Sequence, residues 1–100
     1  MVSVRPDDGP TGVMRLTGEF DLSGRARFAT TVGQLVAARY GRIRADAAQV
    51  TFIDSYGLLA LLAAHASTSA LGIDFRMQPV SHRVRRAIEL AGVGDVLLDE

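Results

Sequence analysis

The sequence predicts an α/β fold with a mixed, mainly parallel β-sheet of four to five strands and three or more helices mainly on one face. Strand-like and helix-like segments alternate along the chain, and right-handed strand–helix–strand connections make consecutive strands parallel. The chain opens with two strand-like segments, which predict an antiparallel hairpin at one edge of the sheet. At 100 residues, 48% of them hydrophobic, we expect residues 1–100 to form a single domain.

The first part of the chain is expected to form the hairpin and enter the first helix. Met1–Arg5 is a short strand-like segment, and Pro6–Gly12 is rich in residues that form turns. Apolar and polar residues alternate in Val13–Thr17, as in a strand with one face exposed to water. Gly18–Asp21 is predicted to be the loop that leaves this strand, and Ser23 the N-cap of the first helix.

The middle of the chain is expected to contain one helix and one strand. The apolar stripe of the helix recurs at helical spacing, in Phe28, Val32, Leu35 and Val36. Gly41 is placed to cap the C-terminus of this helix. Arg42–Ala48 then predicts a central strand, which we expect to leave the sheet through an apolar turn at Gln49–Ile53.

The second half predicts two further helices around a third central strand. Either Asp54 or Ser55 caps a helix that runs to about Leu71 and stops at Gly72, and its inward residues are expected to be Leu58, Leu61, Leu62 and Ala66. Ile73–Met77 alternates as a strand, and Ser81 is the expected cap of the last helix. We expect Val96–Leu98 to form a final short strand.

Composition excludes several classes of function. The 11 basic and 11 acidic residues give a net charge of zero, so we expect no direct contact with nucleic acid. Cysteine is absent and the two histidines lack metal-ligand spacing, so we expect neither a metal nor a cofactor. The N-terminus lacks the apolar core of a signal peptide and Leu58–Leu71 is too short to span a membrane, which predicts a cytoplasmic protein without membrane insertion.

No catalytic motif accompanies the polar residues of the chain, and we do not expect an enzyme. Ser55 has no Gly-x-Ser-x-Gly context, and Glu19 with Asp21 is more typical of a solvated turn than of a carboxylate pair. A deep pocket that joins these three residues would favour an enzyme instead. The arginines of the last helix fit a solvated face better than a site for an acidic partner or a phosphate; they are Arg83, Arg85 and Arg86.

The segment Val50–Leu58 carries the main functional signal. An apolar strand end leads through Asp54 and Ser55 to Gly57 and a leucine-rich helix. Unpaired N–H groups and the positive end of the helix dipole meet at such a place, which therefore tolerates an anion such as a phosphate on Ser55. From these residues alone, a simple helix cap is the better interpretation.

Four segments, in order and with matching spacing, resemble the STAS family of bacterial anti-sigma factor antagonists. Phe52–Leu58 resembles the aspartate–serine–small–glycine–leucine signature of the family. Leu16–Leu22 resembles its Gly-Glu-Leu-Asp segment, Arg42–Val50 the strand before the signature, and Val84–Gly92 the last helix. This resemblance spans nearly the whole chain and implies the STAS fold.

The resemblance implies a phosphorylation switch at Ser55. In the family, the serine after the signature aspartate is phosphorylated by an anti-sigma factor, a serine kinase of the GHKL type. The unphosphorylated antagonist binds the kinase and frees a sigma factor, and the phosphorylated form is released until a phosphatase restores it. The implied contact residues are Asp21, Asp54, Ser55, Tyr56 and Gly57. Members of the family can also self-associate, so a weak homodimer is compatible with the resemblance.

One departure from the family pattern leaves a second interpretation open. Tyr56 stands where the family usually has a small residue. A large ring beside the phosphate acceptor is also compatible with a STAS subunit of a lipid-transport ATPase, which would bind through the same surface without phosphate turnover. The intact Asp54–Ser55 pair favours the anti-sigma factor antagonist.

Overall fold

The computed structural model describes the backbone of residues 2–5 and the backbone and side chains of residues 11–98. Within these residues the strands are β1 (Val2–Arg5), β2 (Thr11–Phe20), β3 (Arg42–Ile53) and β4 (Asp74–Val80). The helices are α1 (Arg25–Ala37), α2 (Ser55–Ser69), α3 (His82–Leu90) and the short α4 (Gly94–Leu97). A single 3₁₀ turn, Leu22–Gly24, precedes α1.

The strands form one mixed sheet in the order β1-β2-β3-β4. β1 pairs antiparallel with β2, whereas β2, β3 and β4 are parallel to one another. These connections confirm the α/β class, the opening hairpin and the mainly parallel sheet. All of the parallel strands therefore end at the same edge.

One face of the sheet is buried beneath the helices. On β3, Ile43, Ala45 and Ala47 are fully buried, and Phe75 and Met77 continue this layer on β4. Each helix contributes buried side chains to the same cluster, among them Phe28 of α1, Leu61 of α2, Ile88 of α3 and Leu97 of α4. The small alanines of β3 let the helices approach the sheet closely.

The opposite face of the sheet is charged and internally paired. Arg44 Nη2 lies 2.9 Å from Asp74 Oδ2, and Arg76 Nε lies 3.3 Å from Asp74 Oδ1. Arg15 Nε lies 3.8 Å from Asp46 Oδ2 on the neighbouring strand. The alternation of the strands thus separates an apolar face from a face of ion pairs.

Two predicted loops are instead the ends of strands. The loop at Gly18–Asp21 is wrong because β2 continues to Phe20, and the turn at Gln49–Ile53 is wrong because β3 continues to Ile53. Phe20 pairs with Ile53 in the register of the two strands. Pairing across bulges keeps these polar-rich ends in the sheet although their pattern no longer alternates regularly.

Both predicted ends of the first helix also need correction. Ser23 does not cap α1: Asp21 caps the 3₁₀ turn, and α1 begins only at Arg25, after Gly24, which provides no side-chain cap. Gly41 does not cap the C-terminus, because α1 ends at Ala37 and the left-handed position is taken by Arg39, with a φ of 68°.

The later predictions are confirmed in part. The Ser81 side chain accepts a hydrogen bond from the Val84 N–H at 3.2 Å, as expected of an N-cap. The predicted strand at Val96–Leu98 is wrong, because the Leu98 N–H closes α4 on the Gly94 carbonyl and only Leu98 bridges to β4. Ala66, predicted to point inward, is exposed.

The predicted turn Pro6–Gly12 lies mostly outside the described residues. Residues 6–10 are not described, and residues 11–12 belong to β2.

Among the helices described, none combines the length and hydrophobicity that crossing a membrane requires.

We expect Asp74→Asn to lower the free energy of unfolding at neutral pH by about 0.5–1 kcal/mol, because Arg44 and Arg76 lose a partly exposed partner. The hydrogen bonds from Arg44 and then Arg76 lower the pKa of Asp74 below its ordinary value of 3.8. Because the folded-state pKa is the lower one, this stabilisation is complete above the unfolded-state pKa and is lost as the pH falls through the folded-state pKa. Urea unfolding of both proteins from neutral pH to progressively more acidic solutions tests this, and a difference in stability that does not shrink as the pH falls would contradict it.

Candidate functional site

The carboxyl ends of β2 and β3 bring two aspartates to the same edge of the sheet. Phe20 and Ile53 are paired in the parallel register, and Asp21 and Asp54 are the residues that follow them. The Asp54 N–H donates to the Phe20 carbonyl at 3.4 Å, which links the two strand ends. Neighbouring strands lie about 4.8 Å apart, so the two helical segments begin side by side.

Asp54 is the N-cap of α2. Its backbone is extended, with a φ of −109° and a ψ of −176°, and its Oδ1 accepts a hydrogen bond from the Gly57 N–H at 2.8 Å. Its carbonyl accepts from the Leu58 N–H at 3.0 Å, which closes the first helical turn. The sequence left Asp54 and Ser55 as alternative caps, and the structure assigns this role to Asp54.

Ser55 is therefore the first residue of α2, and its hydroxyl is not needed for the cap. The residue is exposed, and within the described part of the chain its hydroxyl has no hydrogen-bond partner. The N–H groups of Ser55 and Tyr56 have no acceptor among the same residues, since Asp54 Oδ1 takes the N–H of Gly57. An accessible nucleophilic oxygen thus lies beside two open N–H groups at the positive end of a helix.

Gly57 explains why the signature needs a glycine at this position. A Cβ on Gly57 would lie 2.3 Å from the carbonyl oxygen of Phe20 and 3.1 Å from the Ile53 side chain. Phe20 is itself buried, and its ring meets that of Phe28 edge to face at 5.2 Å between centroids. The first turn of α2 can therefore rest on the end of β2 only without a side chain here.

Asp21 supplies a fixed negative charge at the same edge. Its Oδ1 accepts hydrogen bonds from the Ser23 hydroxyl at 2.6 Å and the Ser23 N–H at 3.0 Å. The hydroxyl contact above all holds the pKa of Asp21 below its ordinary value of 3.8. Asp21 is thus ionised at neutral pH and is held in one orientation.

Large apolar side chains surround this edge and remain exposed. Leu22 is 51% exposed, Phe52 45%, Tyr56 49% and Leu59 58%. Of these, the sequence analysis singled out only Tyr56. The exposure of Leu59 could have been predicted from helical periodicity, since Leu59 falls outside the apolar stripe of Leu58, Leu61 and Leu62. Exposed apolar groups beside charged ones are typical of a protein contact surface.

Two shallow grooves each include an exposed apolar residue of this edge, Leu59 in one and Phe52 in the other. One, of about 480 Å³, lies between α1 and α2 and is lined mainly by small apolar side chains. The other, of about 430 Å³, lies between the end of β3 and α3. Neither groove includes Glu19, Asp21 or Ser55, so neither is the deep pocket that would favour an enzyme. Within residues 2–5 and 11–98 no group of three potential metal ligands is present.

Comparison with protein families gives one match that covers almost the whole chain. Residues 5–99 match the family model described as "Mlab, STAS domain". No curated protein is significantly similar to the chain.

Solved structures with the same fold include regulators and a transporter-related protein. The Bacillus anti-sigma factor antagonist SpoIIAA in its unphosphorylated form is 21% identical with a TM-score of 0.81, over 100% of this chain and 88% of that one. An anti-sigma factor antagonist from Mycobacterium paratuberculosis is 25% identical with a TM-score of 0.80, over 97% and 81%. A sulfate transporter family protein from Wolinella succinogenes is 19% identical with a TM-score of 0.77, over 88% and 71%.

We expect Gly57→Ala to lower the free energy of unfolding by about 1–3 kcal/mol, because the new methyl group overlaps the Phe20 carbonyl. Gly33→Ala is the matched control. Gly33 lies inside α1 with open space around it, so alanine there should stabilise the protein by about 0.5–1 kcal/mol. Urea unfolding measures both. Equal effects of the two substitutions would show that the close contact at Gly57 does not constrain the fold.

Removal of the cap and removal of the free hydroxyl should have different effects. Asp54→Ala should destabilise the protein by about 1 kcal/mol, because the Gly57 N–H loses its acceptor. Ser55→Ala should change the stability by less than about 0.5 kcal/mol, since its exposed hydroxyl makes no hydrogen bond among the described residues. Thermal or urea unfolding distinguishes them, and a larger loss for Ser55→Ala would reverse the assignment.

Proposed function

Because the chain belongs to the STAS-domain family and shares the fold of anti-sigma factor antagonists, we propose that it is an anti-sigma factor antagonist switched by phosphorylation of Ser55. The unphosphorylated protein binds an anti-sigma factor, a serine kinase of the GHKL type, and thereby releases a sigma factor in the cytoplasm. Phosphorylation ends this binding, and a phosphatase restores it. The chain itself serves as substrate and ligand, not as the catalyst.

The observation that carries this proposal is the exposed Ser55 hydroxyl at the N-terminus of α2, which has no hydrogen-bond partner among the described residues. The kinase would transfer the γ-phosphoryl group of ATP to Ser55 Oγ, with release of ADP and the hydroxyl proton. Because Asp54 alone caps the helix, the reaction breaks no hydrogen bond that holds the described fold together. The unused N–H groups of Ser55 and Tyr56 lie where a phosphate oxygen can accept from them.

The charges at this edge are arranged so that phosphorylation would change the surface charge without changing the fold. A phosphoserine carries about −1.5 to −2 charges at neutral pH. The helix N-terminus stabilises a negative charge by about 0.3–1 kcal/mol, whereas Asp54 and the ionised Asp21 oppose it. These effects largely offset each other within the protein. A partner that contacts Ser55, in contrast, meets a concentrated new charge.

The apolar residues around Ser55 support a protein as the partner. Tyr56 and Leu59 lie on α2 next to Ser55, and Leu22 lies on the 3₁₀ turn that packs against α2. Burial of such side chains drives association, and the charged centre would set its specificity. The proposed contact set remains Asp21, Asp54, Ser55, Tyr56 and Gly57, to which these exposed leucines add area.

We expect incubation with the cognate kinase and ATP to add one phosphate to the protein, at Ser55. Intact-mass and peptide mass spectrometry measure the addition and its position. Ser55→Ala should remain unmodified, whereas Ser23→Ala, the control at the neighbouring exposed serine, should be modified like the unaltered protein. Ser55→Asp should bind the kinase more weakly, because it places a fixed carboxylate at the contact. A kinase that binds the protein but leaves Ser55 unmodified would rule out the switch.

Tyr56 favours a second candidate function, a non-switching STAS subunit of a lipid-transport ATPase. Its ring is half-exposed in the first turn of α2, directly beside Ser55, where it would enlarge a permanent contact and restrict access to the hydroxyl. Affinity purification from the native cell distinguishes the candidates. A GHKL-type kinase as the main partner supports the switch, and a transport ATPase with unmodified Ser55 supports the second candidate.

A further inference from the structure

We propose that the groove between the end of β3 and α3 is a second docking surface, which binds an acidic amphipathic segment of a protein partner. This surface, called the α3 groove below, has a volume of about 430 Å³. That is within the range of about 300–1,000 Å³ usual for ligand pockets. The proposal goes beyond the Ser55 switch because binding in this groove requires no phosphate.

Apolar side chains form part of the lining of the α3 groove. Phe52 and Ile53 contribute from β3, and Leu90 contributes from the last turn of α3. Phe52 is 45% exposed and Leu90 is 75% exposed, the latter the most exposed large apolar residue of the described chain. One or two apolar side chains of a partner would cover this surface, whereas a small free anion would leave it in contact with water.

Two arginines also line the α3 groove. Arg83 and Arg86 are one helical turn apart and lie with Leu90 on a stripe of α3 distinct from its buried stripe of Val84 and Ile88. The His82 side chain also lines the groove, and none of the described residues that line it is acidic. The complementary partner therefore combines carboxylates with apolar side chains.

The arginines of the α3 groove differ from those on the open face of the sheet. On the open face of the sheet, Arg44 and Arg76 are held by Asp74. Arg83 and Arg86 are exposed and have no carboxylate partner among residues 11–98. Their guanidinium groups are thus available for charge-assisted hydrogen bonds with a partner.

Position connects the α3 groove to the proposed switch. Phe52 and Ile53 directly precede Asp54, so the groove and Ser55 lie on two sides of the same strand end. One partner is therefore able to contact both. The zero net charge of the whole chain favours a protein segment over a membrane surface.

The test uses a synthetic helical peptide. Its leucine and glutamate residues are spaced four positions apart, so that both types of side chain lie along one face of the helix. Titrated into the ¹⁵N-labelled protein, it should shift the amide resonances of Phe52, Arg86 and Leu90. The same peptide with lysine in place of glutamate should not bind. Arg83→Glu/Arg86→Glu should weaken binding of the acidic peptide at least about tenfold, because the charge-assisted contacts become repulsive.

Matched variants separate this proposal from general charge effects and from the Ser55 switch. Arg39→Glu/Arg42→Glu makes the same charge change at exposed arginines near the opposite end of β3, and should keep the affinity within about twofold at physiological salt. Leu90→Gln, at an exposed site compatible with folding, should weaken binding at least about threefold. Ser55→Asp should bind the peptide normally, so failure of the switch leaves this result unaffected.

Three outcomes would overturn the proposal. The first is equal binding of the acidic and basic peptides, and the second is a shift map centred on the α1–α2 groove or the Ser55 turn. The third is binding of anionic lipid vesicles through Arg83 and Arg86 without binding of the acidic peptide, which would assign the α3 groove to a membrane surface.

Discussion

The close contact between the first turn of α2 and the end of β2 determines the geometry of the whole functional edge. The Phe20 carbonyl faces the backbone of Gly57 at a distance that excludes any side chain, and it also accepts the Asp54 N–H. This contact fixes where α2 begins. It thereby makes Asp54 the cap, leaves Ser55 free and places both beside Asp21. Ser55 is exposed although the neighbouring backbone at Gly57 is packed tightly against β2.

The charged side chains on the open face of the sheet are paired with one another, whereas those at the carboxyl edge and in the α3 groove remain exposed to a partner. The open face of the sheet carries arginines and aspartates that pair across strands, and burial of the other face supplies the core. At the carboxyl edge, in contrast, Asp21 and Asp54 are bound to backbone groups of their own turns and leave an exposed anionic surface. Arg83 and Arg86 form a cationic surface on the other side of the same strand end. The two surfaces lie near Phe52 and carry opposite charges. A partner that contacts both therefore needs basic groups against the aspartates and acidic groups against the arginines.

The fold class could be predicted from the sequence because the spacing of apolar residues, alternate in strands and every three to four residues in helices, follows from which side chains are buried. It was less informative where pairing between strands overrides local pattern, as in the last residues of β2 and β3. Arg39 at a left-handed position was not predictable, since glycine two residues later is the usual choice there. At the candidate site, the position of Ser55 at a helix start was predictable, but the choice of Asp54 as the cap required the Gly57 hydrogen bond. The α3 groove depends on β3 reaching Phe52 and Ile53, which the sequence assigned to a turn.

If Ser55 is the switch that we propose, it should accept a phosphate without any change in the packing beneath it. Amide chemical shifts of protein made with phosphoserine at position 55, compared with those of the unmodified protein, test it directly and need no partner. We predict changes confined to residues 20–24 and 53–58, with the rest of the sheet and α3 unaffected. Changes that spread through β4 and α3, or a loss of dispersion, would contradict it, because they would show that the phosphate disrupts the contact between Gly57 and Phe20.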